Sequence, residues 1–204
     1  MCIRDSNIPL VHVSTDFVFD GRKGSPYDPQ DIRTPQSVYG QSKAKGEDAL
    51  IAMSQLRSTI IRTAWVYNCE DSNFVTTMLR MMRERESLGV VTDQIGTPTH
   101  VTGLSSACWF FLQAEEAGVY HWTDAGVASW YDFAVSIQNI ALEEGLLTKK
   151  IPVQPVRTSD YPTTAIRPHN SILDKTSCWD AMGVTPEHWQ SILQSAISIS
   201  KQPK

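Results

Sequence analysis

Long apolar runs are missing from this sequence. No stretch approaches the ~18 residues that a membrane-spanning helix needs, and the best candidate, "ACWFFLQA" around Trp109, is far too short. It reads as part of a mostly buried helix. A surplus of basic charge is missing as well: 18 Lys and Arg stand against 22 Asp and Glu, for a net charge of -4. That balance argues against nucleic acid or an anionic membrane as a partner. Cysteine is sparse. Cys2, Cys69, Cys108 and Cys178 lie far apart, with no CxxC pair and no histidine at ligand spacing. A zinc site and a disulfide framework are both disfavoured, and reduced thiols in a cytoplasmic protein are expected. Repeats and low-complexity tracts are absent too.

The start of the chain lacks the basic residues and apolar stretch of a signal peptide. "MCIRDS" also matches nothing in the pattern that follows, so residues 1–6 read as a non-native leader and the chain as beginning in mid-protein. What is present suffices for a packed core: 41% of the 204 residues are hydrophobic and 20% are charged.

Strand-like and helix-like segments alternate. A short β-branched run from Ile8 to Ser14 predicts a buried strand. The Gly/Pro/Asp-rich stretch after it predicts a loop, and residues 37–54 a helix. "STIIRTAWVY" predicts a second strand, and "NFVTTMLRMMRERE" an amphipathic helix with Phe74, Met78, Met81 and Met82 on one side. "SLGVVTDQIGTPTHV" predicts a strand followed by a turn at Pro98, and "GVYHWTD" a short strand. Ser129 predicts an N-cap, and Gly145 the end of the helix it starts. Residues 151–170 carry four prolines and predict an extended, irregular segment, before a final helix from "TPEHWQ" onward. This alternation points to an α/β protein with a parallel sheet, whose ligands bind beyond the carboxyl ends of the strands. Ser14-Thr15-Asp16 and Thr63-Ala64-Trp65 sit at such ends.

Tyr39 and Lys43 are four residues apart on a predicted helix and so share a face. An ammonium held beside a phenol favours the phenolate, which makes such a tyrosine a usable proton donor or acceptor. Alone, Tyr-x-x-x-Lys is commonly a surface pair; the hydroxyl-bearing strand end upstream strengthens the chemical reading. Thr15 there can hydrogen-bond a substrate carbonyl while Tyr39 delivers the proton.

"VHVSTDFVFDG", "YGQSKAKGE" and "IIRTAWVY", in that order, resemble the extended short-chain dehydrogenase/reductases. More narrowly, "NFVTTMLR", "VVTDQIGTPT", "SWYDFA" and "DYPTTAIRPHNSILD" resemble the dTDP-4-dehydrorhamnose reductase family. The resemblance implies a Rossmann-like parallel sheet with helices on both faces, incomplete here, plus a small carboxyl-terminal substrate-binding subdomain. On that pattern residues 7–70 belong to the NAD(P)-binding domain and residues 71–204 mostly to the subdomain, with 118–124 returning to the sheet.

The resemblance also implies roles. Tyr39 is the catalytic acid, Lys43 orients the nicotinamide ribose and tunes Tyr39, and Thr15 completes the catalytic set. Asp16 and Trp65 contact substrate. The substrate implied is dTDP-4-dehydro-L-rhamnose, reduced by NADPH or NADH. Trp65 is otherwise a core aromatic at a strand end. Arg62 meets a cofactor phosphate or forms a salt bridge at the sheet edge. Arg167 meets the substrate diphosphate or is a solvated loop residue. Asp93 and Gln94 line the sugar pocket or shape a turn. Glu47, four after Lys43, is expected to position that lysine, and His12 to point into packing. The resemblance leaves Mg2+ and a homodimer open, and no acidic cluster calls for the metal.

Two alternatives stand beside the reductase: a non-catalytic regulatory subunit on the same fold, and a nucleotide-sugar epimerase or dehydratase. The intact Thr15, Tyr39 and Lys43 disfavour the first. The second is disfavoured by Asp16-Phe17, since dehydratases of the wider family carry Asp-Glu after the threonine. A glycine-rich turn from strand to helix, needed to approach a pyrophosphate, is also lacking: Gly21 and Gly24 sit in an Asp/Pro loop. The fingerprint is therefore expected upstream of Ile8. The 204-residue chain by itself is expected to bind NAD(P)H poorly, which nucleotide fluorescence would measure.

Overall fold

The structure is a computed structural model that describes residues 8–53, 56–114, 117–161 and 167–200. The 1–6 leader, and residues 162–166 of the carboxyl-terminal motif, lie outside the described residues.

Three strands, β1 (Leu10–Thr15), β2 (Ser58–Thr63) and β7 (Gly118–His121), form a parallel sheet in the order β1-β2-β7. Val13 lies opposite Ile61 and Thr15 opposite Thr63, so the carboxyl ends of β1 and β2 are level. Successive side chains of β2 point to opposite faces of the sheet. Ile61 packs with Leu104, Ala107 and Phe111 of α3 (Val101–Gln113). Arg62 reaches the other way, to Glu47 of α1 (Val38–Ala52). Helices therefore cover both faces. Ser37 caps α1 by accepting from the Gly40 amide, and Gly40 lets the helix start press against the strand end. A Cβ there would stand 2.2 Å from the Phe17 carbonyl oxygen, closer than any real contact.

A second core gathers α2 (Phe74–Glu84), α4 (Trp130–Glu143) and α6 (Trp189–Ser200) around Phe133, Ile137, Leu193 and Ile197, all fully buried. Asn73 and Ser129 close capping boxes at the starts of α2 and α4. Three two-stranded pairs complete this part. β3 (Val66–Tyr67) runs parallel to β6 (Thr99–His100), and β4 (Leu88–Val91) parallel to β9 (Val153–Val156); β5 (Ile95–Gly96) runs antiparallel to β8 (Ala128–Ser129). A short helix, α5 (Thr176–Met182), ends on Gly183 in the left-handed region and packs on β7.

Four expectations change. The strand expected through "STIIRTAWVY" breaks after Thr63, because Trp65 takes φ 49, which no strand accommodates. The proline-rich segment holds a strand, β9, which tolerates Pro155 because it has only one neighbour and the missing N–H is not called on. Helix α3 is less buried than expected: Trp109 is 66% exposed. Helix α5 was not anticipated, being only two turns long. Among the described residues, no helix is long and apolar enough to cross a membrane.

Candidate active site

The carboxyl end of β1 runs into a tight turn over Asp16–Val18 that starts on Thr15. The Thr15 hydroxyl accepts from the Phe17 amide at 3.2 Å and donates to Asp16 Oδ1 at 2.9 Å. Asp16 is buried, and its Oδ2 has no well-formed hydrogen bond among the described residues, although the Ser171 hydroxyl stands beside it. Burial pushes its carboxyl up to about 6, with hydrogen bonds from Thr15 and Ser171 pulling the other way. A carboxyl raised this far keeps its proton, and can donate, into mildly acidic solution; above about pH 6 it only accepts.

Helix α1 brings Tyr39 and Lys43 to the same strand end. The Lys43 ammonium donates to the Val13 carbonyl at 2.6 Å. The Tyr39 ring meets Phe17 edge-on, with centroids 5.8 Å apart, and is 56% exposed, so its phenol is open to a reactant.

Trp65 stands at the end of β2. Its ring stacks on Trp130, and with Asp16, Gln94, Ser171 and Arg167 it lines a narrow cleft beside the strand ends. Gln94, Trp130 and Arg167 also line a neighbouring cavity of about 390 Å³, walled by Phe74, Met78 and Tyr161 among others. The two spaces share those three residues and so adjoin, a narrow cleft beside a larger and mostly apolar cavity. Arg167 is exposed at the junction.

The far wall is fastened by Asp93. Its carboxylate accepts from the Thr158 amide at 2.9 Å and from the Thr158 hydroxyl at 2.7 Å, and its backbone carbonyl meets His169 Nδ1 at 3.1 Å. Burial acts to raise this carboxyl, but the Thr158 hydrogen bonds outweigh it and hold it below its ordinary value. Asp93 thus shapes the wall, while its neighbour Gln94 reaches the cleft.

Two residues stand elsewhere than expected. Arg62 is buried and committed to internal partners: Glu47 takes its Nε and Nη2, and the Pro29 carbonyl takes its Nη1 at 3.0 Å. Its Nη1 also meets His121 Nε2 at 3.3 Å, so among the described residues the guanidinium is engaged in a salt bridge and its neighbours, as in the second of the two expectations. Glu47 does not pair with Lys43; its carboxylate faces Arg62, Arg33 and Ser14. Trp130, Ser171 and Gly96 were missed by sequence reasoning. "SWYDFA" contains Trp130, but nothing in the spacing shows that it stacks on a residue 65 positions earlier. Among the described residues no group of three His, Cys, Asp or Glu gathers as a metal site.

The sequence pattern that defines the RmlD substrate binding domain family matches residues 2–201. The chain belongs to that family. It is 42% identical over 198 residues to the dTDP-4-dehydrorhamnose reductase of Aggregatibacter actinomycetemcomitans, covering 93% of this chain and 66% of the relative. It is 35% identical to the dTDP-4-keto-6-deoxy-D-glucose reductase of Streptomyces niveus, covering 96% of this chain and again 66% of the relative. The chain therefore spans just under two thirds of the length of these relatives. Among solved structures it is similar to dTDP-4-dehydrorhamnose reductase from Bacillus anthracis str. Ames, solved in complex with NADP. The TM-score is 0.85 and the identity 32%, over 96% of this chain and 69% of that one. For the RmlD family domain described here, the α/β fold with a parallel sheet is thus established.

Proposed function

We propose that this chain forms the catalytic and sugar-binding part of an NADPH- or NADH-dependent reductase that converts dTDP-4-dehydro-L-rhamnose to dTDP-L-rhamnose, in a full-length protein that also carries a dinucleotide-binding segment. The observation that carries the reading is the convergence of Thr15, Lys43 and Tyr39 on one strand end beside the Trp65 cleft. The two relatives support it, since both are named as reductases of a 4-keto sugar joined to dTDP.

The residues fit a nicotinamide reduction. A phenol open to solvent, an ammonium fixed on a backbone carbonyl and a hydroxyl at a strand end make the proton-donating half of such a site. Tyr39 and Lys43 would hold the nicotinamide ribose, and the bound cofactor would supply the hydride for C4 of the sugar. Tyr39 donates its proton to the C4 oxygen as the carbonyl becomes an alcohol. Lys43 holds its positive charge beside the phenol and stabilises the phenolate left behind. The Thr15 hydroxyl, turning its one proton from Asp16 Oδ1 to the substrate, orients the same oxygen, and Asp16 receives a sugar hydroxyl. Trp65 and Trp130 wall the cleft against water. Arg167, at the junction of the two spaces, faces the diphosphate, and the larger apolar cavity takes the thymidine.

The test uses the full-length protein, dTDP-4-dehydro-L-rhamnose and NADPH carrying deuterium at the transferable C4 position. The expected product is dTDP-L-rhamnose with one deuterium at the sugar's C4. Loss of water, or epimerisation without net consumption of NADPH, would overturn the reading.

A further inference from the structure

We infer that Glu47 is a positioning residue for the reaction: through Arg62 and Ser14 it sets where Tyr39 and Lys43 stand relative to the strand ends. The inference rests on the reductase reading above. Residues 39, 43 and 47 are successive i, i+4 positions and share one side of α1. Each is tied to the end of β1 or the turn after it: Tyr39 to the Phe17 ring, Lys43 to the Val13 carbonyl, and Glu47 to the Ser14 hydroxyl, which donates to its Oε1. The next residue along the strand is Thr15. One face of the helix is thus pinned, turn by turn, to the strand that carries the hydroxyl.

The Glu47 carboxylate, fully buried, does more than hold that last pin. Arg62 Nη2 donates to Oε2 at 2.8 Å, and Nε lies 3.1 and 3.2 Å from the two oxygens. This fork approaches from β2, three residues before Trp65. Arg33, from the loop ahead of α1, adds Nη1 at 3.1 Å to Oε2 and also reaches the Ala44 carbonyl at 3.2 Å. The Phe19 ring sits under the guanidinium of Arg62, 5.1 Å from its centre. One carboxylate therefore joins the end of β1, the end of β2, the loop and the helix. A buried ion pair adds little net stability compared with apolar residues of similar size. What its fixed, directional bonds supply is register, and here the register is between the proton donor, the hydroxyl and the tryptophan wall.

The test uses single-turnover hydride transfer in the full-length protein, followed at 340 nm. The amplitude reports the fraction of active molecules, and the rate constant reports positioning; a merely structural role moves only the amplitude. Ser14→Ala removes one pin without changing charge, and the double substitution Glu47→Met with Arg62→Met replaces the pair by apolar residues. Expected are rate constants lower by about 10-fold and about 100-fold, at full amplitude and with substrate affinity changed far less. Asp48→Ala, which removes only the exposed partner of Arg33, should match the unsubstituted protein. Wild-type rate constants in folded Ser14→Ala and double variants overturn the inference; if the double variant fails to fold, Ser14→Ala decides alone. If the unsubstituted protein transfers no hydride, the reductase reading fails. The positioning role is then decided by crystal structures of the same variants, where Lys43 still on the Val13 carbonyl would contradict it.

Discussion

Trp65 and Trp130 lie face to face, with 3.6 Å between ring centroids and planes 10° apart. The stack holds Trp65 in a backbone conformation, φ 49, that a bulky residue otherwise avoids. The position is made possible by Gly96, whose missing side chain leaves room for the indole. A strained tryptophan at a strand end, fixed by a second tryptophan from α4, is a preformed wall of the cleft.

Gly96→Ala tests that wall. Its Cβ would fall 2.7 Å from both the Trp65 ring and the Ser171 hydroxyl. The substitution should cost about 1–3 kcal/mol of stability through overpacking, and raise KM for the sugar nucleotide more than it lowers kcat. Thermal melting and steady-state kinetics measure both, and an unchanged Tm with unchanged KM would show that the indole is free to move.

Asp16 makes stability depend on pH in a defined direction. Its carboxyl is raised from 3.8 to about 6 by burial, so the folded protein binds that proton more tightly than the unfolded chain does. The Asp16 contribution is therefore intact below about pH 4 and is lost progressively as pH rises to about 6. Asp16→Asn has no proton to lose. Its stability advantage over the unsubstituted protein should grow across that window to a plateau of up to about 3 kcal/mol. Denaturant titrations at pH 4 and pH 7 read the difference, and equal values at both contradict the burial of an ionisable carboxyl there.

Asp93→Ala removes the acceptor of both Thr158 bonds. A cost of about 1–3 kcal/mol is expected from the unpaired partners. Because Thr158 leads into the segment that ends at Arg167, substrate KM should rise while the single-turnover rate constant holds. A lower rate constant at unchanged KM would assign Asp93 to the chemistry instead.

Arg62→Met strands the Glu47 carboxylate in the core with Arg33 as its remaining charged partner. The expected loss is about 3–5 kcal/mol, and adding Glu47→Met should recover much of it. If the double variant is no more stable than Arg62→Met alone, the two residues do not act as a pair.

The elements that were legible in the sequence are those set by local pattern. Ser129 before an apolar run is a cap whatever lies around it, and the i, i+4 spacing of Tyr39 and Lys43 guarantees a shared face once the helix forms. The break at Trp65 was not legible, because a β-rich run hides a single left-handed residue held by partners distant in sequence. Nor was the partner of Glu47: spacing offers Lys43 one turn away, whereas the fold supplies Arg62 from a neighbouring strand with better geometry. Strand β9 escaped notice because Pro155 reads as a breaker, and only the pairing shows that its N–H was not needed.

The most direct measurement of the account is the turnover of dTDP-4-dehydro-L-rhamnose by full-length protein carrying Tyr39→Phe, with NADPH consumption followed at 340 nm. Loss of the proton donor should lower kcat by about 10²–10⁴-fold with little change in Tm. Turnover within a few-fold of the unsubstituted protein would contradict the role of Tyr39 and, with it, the reductase reading.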